Sequence, residues 1–200
     1  MPEEKGTLAA ATDEELAAEF QQGKIEAFNL LVGRYKHALV NYVYRYLGDY
    51  DGADDIVQET FVRVYNHIDS YKPVAKFSTW IYTIATNLAR TQYRRQQRWG
   101  FFGINKSNLD EREEVQFPDQ EVLPDEIAGN AILHEHVEEA LSKLPAPFRE
   151  IVILFSIEEK SYEEICEITG QNMGTVKSRL NRGRAKLREL LSDVMNEEKS

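Results

Sequence analysis

The 200-residue sequence contains one cysteine, Cys166, so neither an internal disulfide framework nor a cysteine-rich zinc site can form. It also lacks long apolar runs. The longest, Ile151–Phe155, falls far short of the roughly 20 residues a membrane span needs, and no membrane insertion is expected. The acidic Met1–Gly6 is followed by no apolar core, so a secretory signal is not expected and a cytoplasmic location is. Catalytic signatures are missing too. There is no His-Glu-x-x-His, Walker loop or glycine-rich dinucleotide motif. Of His37, His67, His134 and His136, the last two lie two apart on a predicted helix and so do not share a face. Surface histidines are the expectation, and runs such as Glu111, Glu113 and Glu114 read as solvated charge. No catalytic residue, metal or cofactor is expected, and the chain is not expected to be an enzyme.

What is present is an uneven distribution of charge. The chain has 24 Lys+Arg against 34 Asp+Glu, a net charge of −10, which by itself argues against a nucleic-acid binder. The average conceals two basic blocks. Residues 70–109 hold 7 basic and no acidic residues, and residues 171–191 hold 6 basic and 1 acidic. Between them, residues 110–139 hold 1 basic and 11 acidic. Such asymmetry is a cue for nucleic acid or a charged partner.

Apolar residues recur with helical period and no strand alternation is found. The pattern predicts helices near 13–22, 25–47, 51–68, 78–98, 130–143, 147–156, 161–168 and 173–191. Residues 99–129, with Gly100, Gly103, Pro118 and Pro124, break it and read as a flexible acidic linker. The expected fold is therefore all-α, with two small helical domains. The divisions are a tail at 1–12, a domain at 13–98, the linker at 99–129, a domain at 130–192 and a tail at 193–200.

In helix 51–68, Val57, Phe61, Val64 and Ile68 form one apolar stripe. Asp55, Glu59 and Asn66 lie opposite, with Gln58 beside them. This is either a solvated face, with Glu59 and Arg63 paired at i, i+4, or an acidic docking surface. In helix 78–98, Ile81, Ile84, Ala85 and Leu88 make the buried stripe. Trp80, Thr83, Asn87, Arg90, Thr91, Arg94 and Arg98 cluster on an adjoining face. The preceding loop carries Tyr71, Lys72, Lys76 and Phe77. Cations interleaved with rings suit single-stranded nucleic acid; aromatic core residues beside a solvated basic face are the alternative.

The C-terminal part has a helix marked by Tyr162, Ile165 and Ile168, and a tight turn at Thr169-Gly170-Gln171-Asn172 in which Gly170 supplies a positive φ. A second helix then buries Val176, Leu180, Leu187 and Leu191, with Gly183 on the same stripe allowing close approach. Cys166 reads as a small core residue between crossing helices. Outward on the second helix lie Lys177, Ser178, Arg179, Asn181, Arg182, Lys186 and Arg188, the composition of a recognition helix.

Two stretches resemble one family. Asp54-Asp55-Ile56-Val57-Gln58-Glu59-Thr60-Phe61 followed by Phe77-Ser78-Thr79-Trp80-Ile81-Tyr82-Thr83-Ile84-Ala85-Thr86-Asn87 is similar to region two of bacterial sigma factors. Leu144-Pro145 to Arg149, Ser161-Tyr162-Glu163-Glu164-Ile165 and Gly174–Arg184 are similar to region four. A chain this short with only these regions resembles the extracytoplasmic-function group of the sigma-70 family.

The resemblance implies a factor that binds core RNA polymerase, recognises minus-ten and minus-thirty-five promoter elements and helps open the DNA. It implies that Asp54, Asp55, Gln58 and Glu59 dock on the β′ clamp helices, and that the chain also meets the β flap. It implies a specificity loop around Tyr71, Lys72, Lys76 and Phe77 that captures a flipped base. Trp80 and Tyr82 would assist strand opening, Asn87 would read the minus-ten element, and Arg90, Arg94 and Arg95 would hold its backbone. Thr175, Lys177, Ser178, Arg179, Asn181 and Arg182 would contact the minus-thirty-five duplex. An anti-sigma partner, in some relatives membrane-bound, is implied as well. Asn172 replaces a proline common in the family and is expected to cap the recognition helix instead. Acidic residues at 107–126 would lie near the polymerase active site. Two rivals are a sigma mimic that titrates an anti-sigma factor and a stand-alone helix-turn-helix regulator.

Overall fold

In the computed structural model of the protein, residues 8–101 and 135–197 are described, with side chains for 8–98 and 135–192. Most of the predicted linker, including 107–126, His134 and residues 1–7 and 198–200 lie outside them, while helix continues through 99–101 of the predicted linker and 193–197 of the predicted C-terminal tail. All regular structure among the described residues is helical, as the all-α expectation required.

The helices are α1 (Asp13–Gln21), α2 (Ile25–Leu47), α3 (Tyr50–His67), α4 (Phe77–Phe101), α5 (135–143), α6 (Ala146–Ser156), α7 (Tyr162–Thr169) and α8 (Met173–Glu197). A 3₁₀ turn, Ile68–Ser70, follows α3. Local chemistry accounts for most ends. Thr12 with Glu15, and Ser161 with Glu164, form capping boxes at the starts of α1 and α7, each satisfying two backbone donors that have no helical partner. Asp49 caps α3 through Gly52 N at 3.2 Å. Asn172 caps α8, its side chain accepting from Thr175 N at 2.8 Å, so the residue that replaces proline does the expected work. Gly48 and Gly170 end α2 and α7 at φ 74° and 67°, which a side chain would make costly.

Helices α1–α4 bundle around Leu16, Leu31, Leu39, Val43, Val57, Val64, Phe77 and Ile81, all buried. Helices α5–α8 pack around Leu141, Ile151, Leu154, Ile165, Val176 and Leu180. At Gly183 a Cβ would lie 2.7 Å from Val152 Cγ2 and 3.3 Å from Phe148 Cβ, so α8 crosses α6 at a distance only glycine permits. The buried residues of both halves form one continuous cluster. Arg149 of α6 pins the seam. Its Nη1 donates to the Tyr46 carbonyl at 2.8 Å, and its Nη2 to the Leu144 carbonyl at 2.9 Å and the Ser142 carbonyl. One guanidinium thus serves the C-terminal ends of α2 and α5, where carbonyls lack helical donors.

Two sequence expectations need correction. His136 is buried rather than a surface histidine; α5 turns it inward. Cys166 is only half-buried, although it packs on the core. Burial and the flanking Glu163 and Glu167 push its thiol up, away from the reactive thiolate.

Candidate nucleic-acid interface

On α8 the outward arc is as expected. Lys177, Ser178, Asn181 and Arg182 are exposed, and Thr175 and Arg179 are half-buried. The arc is open because Val176, Leu180 and Gly183 fix the opposite side of α8 against the domain. Arg179 donates to the Gln171 side chain at 2.9 Å, and the Lys177 ammonium lies 5.5 Å from the Tyr162 ring centre. Side chains that can pair with base edges and phosphates are therefore presented along one face of a helix with a free flank.

The N-terminal basic face is in a different state. Arg90 is half-buried rather than part of a fully solvated face. It makes a fork with Glu150 of α6, Nε to Oε1 and Nη2 to Oε2 both at 2.7 Å, and donates from Nη1 to the Thr169 carbonyl at 3.1 Å. The Glu150 side chain is only 3% exposed. Lys76 pairs with Glu164 at 3.0 Å. The Tyr82 hydroxyl donates to Glu158, and Lys160 lies 4.5 Å from the centre of its ring. Each of these carboxylates comes from the C-terminal half and each meets a residue expected to face the minus-ten strand. Asn87, Arg94 and Arg95 remain exposed. A cleft of about 390 Å³ at the seam has Arg94 on one wall and Arg179 on the other.

Three rings expected at the nucleic-acid surface are core residues in this arrangement. Tyr71, Phe77 and Tyr82 are 5%, 0% and 2% exposed. Tyr71 and Phe77 pack edge-on at 5.5 Å, Phe77 meets Tyr35 at 5.7 Å, and Tyr82 meets Tyr42 at 5.4 Å. Their burial follows from the position of α4, which is packed by α1, α2 and α3 on one side and by α7 on another. Trp80 is half-buried and stacks on Tyr71 at 5.2 Å. The loop nevertheless projects: Lys72 and Pro73 are exposed and Val74 is 94% exposed.

The acidic face of α3 is solvent-exposed on the side away from the core. Asp55, Gln58 and Glu59 are exposed and Asp54 is half-buried. Gln58 donates to Asp54 at 2.5 Å, and Arg63 to Glu59 at 2.8 Å. The structure adds Val62 and Tyr65, 51% and 48% exposed, which sequence reasoning passed over. Val62 stands three residues after Glu59, so an apolar residue at helical spacing on a charged face was the available signal.

Among the described residues no group of His, Cys, Asp or Glu could hold a metal ion, and no helix is long and apolar enough to cross a membrane.

An open basic helix that follows a tight turn, a second basic face and an exposed acidic helix are the features of a DNA-binding transcription protein of the helix-turn-helix class. Residues 31–99 match Sigma-70 region 2, and residues 134–187 match Sigma-70 region 4. The chain is 35% identical to the ECF RNA polymerase sigma factor SigW of Bacillus subtilis over 87% of this chain and 94% of that one. It is 33% identical to the ECF RNA polymerase sigma-E factor of Haemophilus influenzae over 92% and 97%. Its fold matches CnrH, solved in complex with the cytosolic domain of CnrY, with TM-score 0.67, 28% identity and coverage of 92% and 99%. It also matches the sigma factor RpoE of Bartonella quintana, solved with the anti-sigma factor NepR, with TM-score 0.63, 27% identity and coverage of 87% and 97%. The chain belongs to the extracytoplasmic-function sigma factors of the sigma-70 family, which direct core RNA polymerase to promoters and initiate transcription.

Proposed function

We propose the following division of labour within that activity. Lys177, Ser178, Asn181 and Arg182, with Thr175 and Arg179 at their edge, read and hold the minus-thirty-five duplex. The loop tip at Lys72–Val74 captures a base of the minus-ten strand, Asn87 reads a neighbouring one, and Arg90, Arg94 and Arg95 hold the backbone. Trp80, half-exposed beside the loop, is the ring placed to stack. Tyr71, Phe77 and Tyr82 support the loop and α4 from beneath. Asp54, Asp55, Gln58, Glu59, Val62 and Tyr65 dock on core polymerase. Unpairing a base costs a few kcal/mol, which stacking at about 1–3 kcal/mol per base and phosphate contacts can offset.

The observation that carries this reading is the exposed polar arc of α8 above an apolar side buried at Val176, Leu180 and Gly183, with Leu187 and Leu191 half-buried beyond. A second supports its conditional nature. Arg90 cannot offer its fork to a phosphate while the buried Glu150 holds it, whereas Lys76, paired with Glu164 but exposed, is only weakly restrained. The halves therefore part when promoter DNA is engaged, with core polymerase stabilising the parted state through surfaces outside the seam. The chain supplies no catalysis; polymerase performs nucleotidyl transfer. The complexes of CnrH and RpoE support an anti-sigma partner for this chain, and the protein acts in the cytoplasm.

Reconstituted transcription with core polymerase on a promoter library tests the assignment. Asn87→Ala lowers minus-ten discrimination and leaves core binding intact. Arg182→Ala weakens minus-thirty-five use by about 1–3 kcal/mol, the worth of a base contact. Unchanged promoter choice in both variants refutes these residue roles.

A further inference from the structure

Helix α1 lies outside both matched stretches, yet two of its polar side chains end on the loop that leads into α4. Gln21 donates from Nε2 to the Ile68 carbonyl at 2.8 Å and to the Tyr71 carbonyl at 3.0 Å. Glu14 accepts from Phe77 N at 2.9 Å. Phe77 begins α4, where a backbone N–H has no helical acceptor, and a carboxylate there also meets the positive end of the helix dipole. The Tyr71 hydroxyl donates across the loop to the Ala75 carbonyl at 2.9 Å. One helix thus fastens both ends of residues 71–77, leaving Lys72-Pro73-Val74 outside.

The fastening helix is itself fixed. Leu16, Ala17 and Phe20 are buried. Asp13 accepts from Arg34 at 2.6 Å and from the Tyr35 hydroxyl. Arg34 also donates to the carbonyls of Ala9 and Ala11 at 3.0 and 2.8 Å. Holding α1 to the bundle is thus the work of its apolar side and Asp13. Glu14 and Gln21 instead address backbone groups of the loop.

We propose that Glu14 and Gln21 are positioning residues for promoter selection: they set the width and angle of the 71–77 loop, and so decide which base its tip admits. This rests on the reading of that loop as the minus-ten specificity loop. A loop fixed in advance loses little entropy when it captures a base, and a tip held in one place rejects bases that do not fit it. A loosened loop accommodates several bases more equally.

The test uses the full chain in holoenzyme on a promoter library randomised through the minus-ten element, with Gln21→Ala, Glu14→Ala, Glu14→Gln and the tip variant Val74→Ala. Gln21→Ala and Glu14→Ala are expected to reduce the preference for the best base over the next by about fivefold at one minus-ten position, the worth of an ordinary hydrogen bond. Minus-thirty-five preference and core affinity stay at the wild-type level. Glu14→Gln keeps a side-chain oxygen that accepts from Phe77 N, so it retains wild-type selectivity. Hydrogen exchange at the Phe77 amide speeds up in Glu14→Ala and not in Glu14→Gln. Wild-type base preferences in both alanine variants, or activity lowered equally across the library, overturn the proposal. Val74→Ala separates the two layers. If it shifts preference while the α1 variants do not, the loop reads a base and the positioning role is wrong. If Val74→Ala shifts nothing at any position, the loop is not a reader and the positioning role falls with it.

Discussion

The two surfaces proposed to meet DNA carry similar side chains in different states. On α8, Lys177, Asn181 and Arg182 are exposed. On the N-terminal half, Arg90 is held by Glu150 and Lys76 by Glu164. The chemistry of the cations does not explain this; what faces them does. The face of α8 points away from its own domain, whereas the face of α4 is the seam. A carboxylate can occupy an arginine in the same forked geometry that a phosphate uses. A chain with net charge −10 can therefore compensate part of one basic surface internally and leave another open.

The harshest way to break this asymmetry is Arg149→Ala. It removes the donors to the carbonyls of Tyr46, Ser142 and Leu144. Leaving buried acceptors unpaired costs ~1–3 kcal/mol each, and partial relaxation brings the expected total to about 3–5 kcal/mol. Urea unfolding of the full chain reads it as a lowered midpoint, and a loss under about 1 kcal/mol contradicts the pinning role.

Glu150→Gln acts on the comparison directly. It removes the carboxylate that occupies Arg90. A hydrogen-bonded charge pair is worth about 1.5–3 kcal/mol, so the free chain's affinity for a single-stranded minus-ten oligonucleotide should rise about tenfold. Affinity for minus-thirty-five duplex should not move. Equal changes in both, measured by fluorescence anisotropy, remove the distinction between the two faces. Gly183→Ala sharpens it from the other side. The added methyl meets Val152 and the Phe148 backbone and Cβ, and overpacking of this kind costs about 1–3 kcal/mol. Minus-thirty-five duplex binding should fall while single-strand binding by α4 does not. Wild-type duplex affinity and melting temperature in this variant contradict the close crossing.

Much of this was legible in the sequence, for identifiable reasons. Helix starts follow from period and caps: the 173–191 pattern, Gly170 and Asn172 place the start of α8 at Met173, while α8 runs six residues past the predicted end to Glu197. The open arc of α8 was readable because a helix packed on one side hides one stripe. The fate of α4 was not. It is covered on more than one side, so Tyr82, next to Ile81 of the predicted stripe, is buried as well. Nor does local spacing reveal that Arg90 meets Glu150 sixty residues away. Nothing in the spacing of Glu150 or Glu164 marks them as partners of cations in the N-terminal half; tertiary packing does that. Glu14 and Gln21 were invisible for the same reason: their targets are backbone groups 63 and 47–50 residues distant.

The smallest expected effect concerns the pH response of the seam. Burial holds the Glu158 carboxyl above its ordinary value of 4.5, against the opposing pull of the Tyr82 hydroxyl, Lys160 and Arg45. The folded chain thus binds this proton more tightly than the unfolded chain does. Glu158 therefore favours folding most at pH below 4.5, and that contribution is lost as pH rises through the folded value. Glu164 has the opposite sign: burial pushes it up, but hydrogen bonds from Ser161 and Lys76 outweigh this and leave it lowered. Its contribution is present above the ordinary carboxylate range and lost as pH falls. Because the two oppose each other, the wild-type pH profile alone does not isolate either. Glu158→Gln does, since its amide oxygen still accepts from Tyr82 but does not titrate. The stability of wild type minus that of the variant should be largest below pH 4.5 and fall as pH rises through the raised value of the folded carboxyl. A difference that is flat, or that rises with pH, means that Glu158 is not buried against Tyr82 and the seam is looser there than at Arg90.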